Sequence, residues 1–256
     1  MGAADMVNIL LHGACGRMGH VIAELAGSDP DVTIIAGVDA FGEAYSTFPV
    51  YRSLGEVKES ADVIVDFSNA KAADGLLAYA EEKKIPLVLC TTGLSEEQIR
   101  KVKETSEKVA VLRSANMSLG VNVLFKVLAE AAPTLAKAGF DIEIVEKHHN
   151  QKLDAPSGTA VSLADVCNEA CGGGYEYVYD RSGRREKRPE KEIGISSVRG
   201  GTIVGDHDVI FAGQDEVVTF SHRAYSRAIF ANGAVSAAKF LKGMPAGLYD
   251  MQDVIG

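Results

Sequence analysis

The hydrophobic positions change their rhythm once along the chain. Up to about residue 112, short unbroken apolar runs alternate with stretches whose apolar residues recur every three to four positions. The runs at 7–11, 33–38, 63–67, 86–90 and 109–112 read as strands, and 18–26, 69–84 and 95–107 as helices. In the first helix Met18, Val21, Ile22 and Leu25 share one face, and Ser95-Glu96-Glu97-Gln98 is a capping box that starts the third. Strands without a polar side are buried on both faces. The pattern therefore predicts a parallel sheet covered by helices on both sides.

Beyond Gly120 the pattern differs. Residues 121–137 read as one long helix in spite of Pro133, and 142–146 alternate apolar with acidic, as a half-exposed strand does. Segments 192–198, 202–204, 208–211 and 216–221 read as short strands between glycine-rich turns, and 228–241 is helical again. The expected fold class is α/β: a Rossmann-type parallel-sheet domain plus a second α+β domain with an open, mixed or antiparallel sheet.

The first strand runs into Gly13-Ala14-Cys15-Gly16-Arg17-Met18-Gly19. Glycines at 13, 16 and 19 suit a tight turn, close approach of backbone to a pyrophosphate, and close packing of helix on strand. The helix N-terminus would then offer N–H groups to the phosphates. Three glycines alone are weak evidence, because an ordinary turn can carry them. The flanking strand and helix strengthen the reading, as does Asp39, which closes the second strand twenty residues after Gly19. A carboxylate there accepts from an adenosine ribose and repels a 2′-phosphate. Ala40 and Phe41 are not basic, so NADH is expected to be preferred over NADPH, with Arg17 the residue that keeps NADPH open. Cys90, Thr91 and Thr92 after the fourth strand, and Ser114, Ala115, Asn116 and Met117 after the fifth, should line the same crevice. Ser68 and Asn69, after the third strand, are weaker candidates.

Charge narrows the partners. With 26 basic and 35 acidic residues the chain carries −9, which argues against nucleic acid. The basic run 181–188 is interrupted by Glu186 and is expected to be a solvated, mobile loop. Cys15, Cys90, Cys167 and Cys171 contain no CxxC pair. Cys167 and Cys171 read as small residues on one helix face, and no metal is expected. The apolar run 7–11 is too short for a signal peptide, and no uninterrupted apolar stretch reaches the length of a membrane span. The expectation is a reduced, cytoplasmic protein without membrane contact.

The densest chemistry lies at residues 146–160, Glu-Lys-His-His-Asn-Gln-Lys-Leu-Asp-Ala-Pro-Ser-Gly-Thr-Ala. This reads as one polar loop leading into a helix start, suited to holding an anion and moving a proton. Each residue also has a plain structural reading. His148 or His149 alone is more often structural, Lys152 alone a surface lysine, Asp154 a turn cap and Ser157 an N-cap. Adjacent histidines rarely face one metal ion, and Ser157 is not in a G-x-S-x-G elbow. Density, together with the glycine turn, favours function.

The same stretch resembles the signature of the dihydrodipicolinate reductase family. The resemblance extends to Asp66-Phe67-Ser68, Thr91-Thr92-Gly93, Asn116-Met117-Ser118-Leu119-Gly120-Val121-Asn122, Ile142-Glu143-Ile144-Val145-Glu146, the stretch from Arg199 to His207, and Phe230-Ala231-Asn232-Gly233-Ala234. It implies reduction of 4-hydroxy-tetrahydrodipicolinate by NADH or NADPH in diaminopimelate and lysine biosynthesis. His148 would be the proton donor and Lys152 the cationic anchor of a small cyclic dicarboxylate, with His149, Gly158 and Thr159 binding its carboxylates. Asp154 is expected to shape the loop. The resemblance also implies a dinucleotide domain of residues 1–119 and 229–256, a substrate domain of 120–228, and a homotetramer formed through the second sheet. Two departures bear on the cofactor side: Cys90 stands where many members carry glycine, and the segment between Asp39 and Val63 is short. Two competing readings share the glycine turn: a different two-domain amino-acid dehydrogenase, which explains the histidine loop poorly, and a non-catalytic dinucleotide sensor, which would bind cofactor tightly without turnover.

Overall fold

The computed structural model describes residues 6–114 and 116–256, so Ala115 lies outside the described residues. The chain forms two compact units, one of Leu119–Arg227 and the other of the preceding residues together with Ala228–Gly256.

The first unit is built on a parallel sheet. Its strands are β1 (Val7–His12), β2 (Val32–Val38), β3 (Val50–Tyr51), β4 (Val63–Asp66), β5 (Leu87–Leu89), β6 (Ala110–Leu112) and, from the returning segment, β12 (Gly247–Tyr249). Their order is β12-β6-β5-β4-β1-β2-β3, and every pairing is parallel. Alternate residues face opposite layers. Ile9, Leu11, Val63 and Val65 pack in a core with α1 (Arg17–Ser28) and α6 (Ala228–Leu241). Leu10, Ile64, Leu87 and Leu89 pack in another with α2 (Ala73–Lys83) and α3 (Glu96–Ser106). The capping box is formed as expected: the Gln98 N–H donates to Ser95 Oγ, and Gln98 Oε1 accepts from the Ser95 N–H. The expected helix at 69–84 is instead a 3-10 turn at Ala70–Ala72 followed by α2. Strand order reverses between β1 and β4, and the crevice beyond such a reversal is where open α/β sheets bind ligands.

The second unit holds a mixed sheet in the order β11-β10-β7-β9-β8. These strands are β7 (Asp141–His148), β8 (Glu176–Val178), β9 (Glu192–Arg199), β10 (Gly205–Ala212) and β11 (Val217–Ala224). β7 pairs parallel with β9 and antiparallel with β10. The expected strand at 202–204 is turn and irregular backbone, and β10 begins only at Gly205. The helices α4 (Leu119–Lys137) and α5 (Gly158–Ala170) cover one face, packing Leu124, Leu128, Leu163 and Ala164 on Ile142, Ile144, Val209 and Phe211. Cys167 is part of this core and Cys171 caps α5. Helix α4 has the length and mean hydropathy (1.3) of a membrane span, but it packs on the sheet and carries Lys126 and Glu130.

The basic run is a loop with Ser182 to Lys187 exposed, as the solvated reading expects, and its arginines make ion pairs which that reading did not include. Arg181 bridges Glu143 and Glu192, Arg184 pairs with Glu192, and Arg188 reaches Asp141 and Glu143. Glu192 is fully buried. A buried carboxylate needs cationic partners, and the folded arginines supply them.

Candidate active site

In the first unit the glycine turn follows β1 directly. Gly13 has φ +79°, a conformation that suits glycine, and a Cβ there would lie 2.7 Å from the Phe67 carbonyl oxygen. A Cβ on Gly19 would lie 2.1 Å from the Ala14 carbonyl oxygen. Helix α1 starts at Arg17, with Gly16 as its N-cap. It has no side-chain cap and no acidic residue in its first turn. Its leading N–H groups are therefore the kind an anion satisfies. A cradle so tight that no side chain fits, facing an uncapped helix start, suits the pyrophosphate of a dinucleotide.

Asp39 follows β2, at the same end of the sheet. Its Oδ2 accepts from the Cys15 N–H (3.1 Å), and its Oδ1 from the N–H groups of Phe41 (3.0 Å) and Gly42 (3.1 Å). An ionised carboxylate has about four acceptor positions, so capacity remains for a ribose hydroxyl. Three elements here were not read from the sequence. The Tyr45 hydroxyl donates to the Ala14 carbonyl (2.8 Å), and its ring lies against His20 with centroids 3.9 Å apart and planes tilted by 40°. Burial, with Cys15 and Asp39 nearby, pushes the Tyr45 phenol up to about 12, so it stays a donor. Arg52, just beyond β3, donates from Nη1 to the Ala40 carbonyl (3.2 Å), which places a cation beside the Asp39 corner.

At the ends of β1, β4 and β5, Asp66 is wholly buried. His12 Nδ1 lies 2.8 Å from its Oδ1, and the Thr91 hydroxyl donates to its Oδ2 (2.6 Å). Thr91 is thereby fixed to Asp66. Thr92 is exposed, and the thiol of half-buried Cys90 is pushed well above its usual range by desolvation and by Asp66. Ser114 is half-buried, Asn116 Oδ1 accepts from the Ser118 N–H (2.8 Å), and Met117 belongs to the core with α6.

In the second unit Glu146 and His148 are not loop residues. They belong to the last turns of alternation on β7, whose odd residues face away from the helices and whose even residues are buried. The loop proper begins at His149. His148 Nδ1 lies 2.6 Å from Glu146 Oε2. Arg199, opposite His148 on β9, grips the same carboxylate with Nη1 to Oε2 (2.8 Å) and Nη2 to Oε1 (2.7 Å). The Ser157 N–H also donates to Oε1 (3.1 Å). Burial alone would raise the Glu146 carboxyl, but hydrogen bonds from Arg199, Ser197 and His148 outweigh it and hold it at about 2. Burial lowers the His148 imidazole below its usual 6.5; Glu146 opposes that shift, while Lys152 and Arg199 add to it.

Lys152 Nζ pairs with Asp154 Oδ1 at 2.8 Å, and the Asp154 carbonyl accepts from Arg199 Nη2 (2.6 Å). Asp154 thus ties the loop to Lys152 through its carboxylate and to Arg199 through its carbonyl. Ser157 is the N-cap of α5, accepting from the Ala160 N–H (3.1 Å). Gly158 and Thr159 open that helix, whose first turn has no acidic residue. His149 is half-buried, with Nδ1 lacking a hydrogen-bond partner. His207, on β10, lies 3.0 Å by Nε2 from Ser157 Oγ. Loop, helix start and three strands therefore bring His148, Glu146, Arg199, Ser157 and His207 together. Only the first was assigned a chemical role from the sequence. The inward alternation of β7 was the signal for Glu146. Among the described residues no group of three His, Cys, Asp or Glu side chains is arranged to hold a metal.

A glycine cradle at the switch point of a parallel sheet, with a carboxylate closing the second strand, is the architecture of dinucleotide-dependent oxidoreductases. Residues 7–117 match the family described as Dihydrodipicolinate reductase, N-terminus, and residues 120–255 match Dihydrodipicolinate reductase, C-terminus. The chain is 53% identical over 250 residues to 4-hydroxy-tetrahydrodipicolinate reductase of Caldanaerobacter subterraneus subsp. tengcongensis, covering 98% of each chain. It is 47% identical over 246 residues to the protein of that name from Clostridium tetani, covering 96% of each. A solved structure titled dipicolinate-bound dihydrodipicolinate reductase, from Paenisporosarcina sp. TG-14, shares the fold with a TM-score of 0.81 at 23% identity. It covers 98% of this chain and 100% of its own. The chain belongs to the dihydrodipicolinate reductase family. It is an oxidoreductase, and its Rossmann-type unit implies a nicotinamide cofactor.

Proposed function

We propose that the chain reduces 4-hydroxy-tetrahydrodipicolinate to tetrahydrodipicolinate, within diaminopimelate and lysine biosynthesis, and that it works as a homotetramer in the cytoplasm. The unit containing the glycine turn binds the dinucleotide and the unit containing β7 binds the substrate. When bound, the nicotinamide cofactor supplies a hydride to ring C4 after water has left that carbon.

The residues of the second unit do the rest. His148 gives a proton to the enamine left after reduction, work suited to an imidazole near neutral pH. Lys152 exchanges its Asp154 partner for a substrate carboxylate, and its charge favours electron flow toward the ring nitrogen. His149 and the Gly158–Thr159 start of α5 hold the carboxylates, since a helix N-terminus is a ready anion site.

The observation that carries this reading is the joining, through β7, its loop and the start of α5, of a Glu146-bonded imidazole, an ammonium and a helix N-terminus with no acidic residue in its first turn. On the cofactor side, Gly13, Ala14, Cys15, Gly16, Arg17 and Met18 cradle the pyrophosphate. Asp39 takes the ribose and favours NADH, while the ends of β5 and β6 meet the nicotinamide half through Cys90, Thr91, Thr92, Ser114, Asn116 and Met117. Ala115, placed there by sequence, lies outside the described residues.

A coupled assay tests the reaction. Substrate is generated from pyruvate and aspartate semialdehyde, and NADH oxidation is followed by absorbance. Turnover dependent on both precursors is expected, and tight NADH binding without turnover would overturn the reading.

A further inference from the structure

We propose that Glu146 is the positioning residue for His148: it fixes which imidazole nitrogen exchanges the proton, and Arg199 fixes Glu146. This deepens the reading in which His148 is the proton donor, and rests on it.

The argument starts from strand geometry. Residues two apart on a strand share a face, so Glu146 and His148 project side by side beneath the helices of the second unit. Their contact is short, 2.6 Å between Nδ1 and Oε2. An ionised carboxylate only accepts, so Nδ1 must carry a hydrogen. The other nitrogen, Nε2, is then the one that gains and loses the second proton. Without such a partner a neutral imidazole would divide itself between two tautomers.

Glu146 has no freedom to release this bond. Its side chain is fully buried. Arg199 holds both oxygens in a two-point grip, and the Ser157 N–H adds a third donor. Planar two-point pairing of this kind restricts orientation as well as adding energy. The clamp is built from neighbouring strands, since Arg199 is the register partner of His148 across β7 and β9.

The far side of the ring is shaped too. A Cβ on Gly205 would lie 3.0 Å from His148 Nε2 and 3.4 Å from its Cδ2. The ring therefore occupies space that any side chain at 205 would narrow. The charged and titratable groups facing it are Glu146 on its own strand, Arg199 on β9, His207 on β10 and Lys152 in the following loop. Glu146 is the one anion among them. When the imidazole is protonated, that carboxylate balances a charge that Lys152 and Arg199 oppose.

The first test uses the wild-type protein. Nitrogen-15 spectra of histidine-labelled enzyme, with the His148 signals assigned by their loss in His148→Gln, report the neutral tautomer at high pH. The Nδ1–H form is expected, and an Nε2–H form overturns the proposal. The second test is Glu146→Gln. Its kcat should fall roughly 10- to 100-fold, as when the carboxylate orienting a functional histidine is removed. The Kd for NADH should stay within about twofold, and the alkaline limb of kcat/KM should move to lower pH as the imidazolium loses its counter-charge. Wild-type kcat and pH profile in a folded Glu146→Gln protein overturn the proposal. If this variant does not fold, the wild-type tautomer decides alone. Full activity in His148→Gln would sink the parent reading instead, and the tautomer measurement would still settle what Glu146 does to the ring.

Discussion

His207 meets His148 edge to face, with ring centroids 5.2 Å apart and planes at 74°. The two imidazoles lie on adjacent strands, and both prefer to be uncharged. Burial, with the charge of His148 as a further cause, pushes His207 down to about 4 from its usual 6.5. An imidazole whose folded value is depressed supports the fold fully above its unfolded value and loses that support as pH falls through the folded one. For His207 the window therefore runs from about pH 6.5 down to about 4. The depression corresponds to roughly 3 kcal/mol. Thermal unfolding followed from pH 8 to pH 4 should show Tm falling across this window. His207→Asn should flatten the fall, and an unchanged slope in that variant would place the acid sensitivity elsewhere.

Lys152 and Asp154 make a half-exposed pair, and such a pair contributes little to stability. Lys152→Ala should therefore leave Tm within about 1 °C while lowering kcat and raising substrate KM together, because a bound carboxylate loses its partner. Steady-state kinetics beside a melting curve separate the two effects. Wild-type kinetics would remove Lys152 from the site.

If the proposed dinucleotide site is right, Asp39 and Arg52 should pull cofactor choice in opposite directions. The carboxylate opposes a ribose 2′-phosphate, and the guanidinium at the Ala40 carbonyl would attract one. Asp39→Ala should raise KM for NADH and narrow the gap to NADPH. It also removes three N–H partners from the 39–42 corner, so the loss should exceed that of a ribose contact alone. Arg52→Ala should lower kcat/KM for NADPH about fivefold, the scale of one exposed charge contact, with NADH unchanged. Equal losses with both cofactors would show that Arg52 serves the loop and not the phosphate.

The reach of the sequence depended on whether a contact is local. Parallel strands, the capping box at Ser95 and the glycine turn rest on neighbouring residues, and their spacing records them. The short strands at Val50–Tyr51, Glu176–Val178 and Gly247–Tyr249 carry too few residues for a period to register. The end of β7 was misread because Glu146, Lys147 and His148 are polar. The burial of Glu146 and His148 goes with the pairing of Glu146 to Arg199 and Ser157, and no window of sequence around β7 contains Arg199. The ion pairs of Arg181 and Arg188 are invisible to the sequence for the same reason, since their partners Asp141 and Glu143 lie some forty residues earlier. Polar residues buried by distant counter-charges are where hydrophobic periodicity carries least information.

Gly13 is constrained twice over, by its positive φ and by the Phe67 carbonyl 2.7 Å from where a Cβ would stand. Gly13→Ala should shift the turn away from β4 and destabilise the unit by about 1–3 kcal/mol, the range for a strained backbone position. Binding of NADH, read by fluorescence titration, should weaken by at least tenfold even at temperatures where the variant is folded. Unchanged affinity would mean the turn is not the phosphate cradle.

Gly205 separates ring placement from charge. Its open space lies against the Nε2 edge of His148, and Glu146 holds the opposite edge. Gly205→Ala adds one methyl at 3.0 Å from Nε2, so either the imidazole tilts or β10 gives way by a few tenths of an ångström. Both oxygens of Glu146 remain gripped by Arg199, so the charge balance at the ring is kept. The expected result is a lower kcat, since small misplacement of a reacting group is costly in rate. The pH limbs should stay where they are in the wild type, unlike those of Glu146→Gln. NADH affinity should not change, because nothing in the glycine turn is touched. A Gly205→Ala enzyme with wild-type kcat would mean that the imidazole tolerates displacement, and the placement of Nε2 would then lose its claim to set the rate.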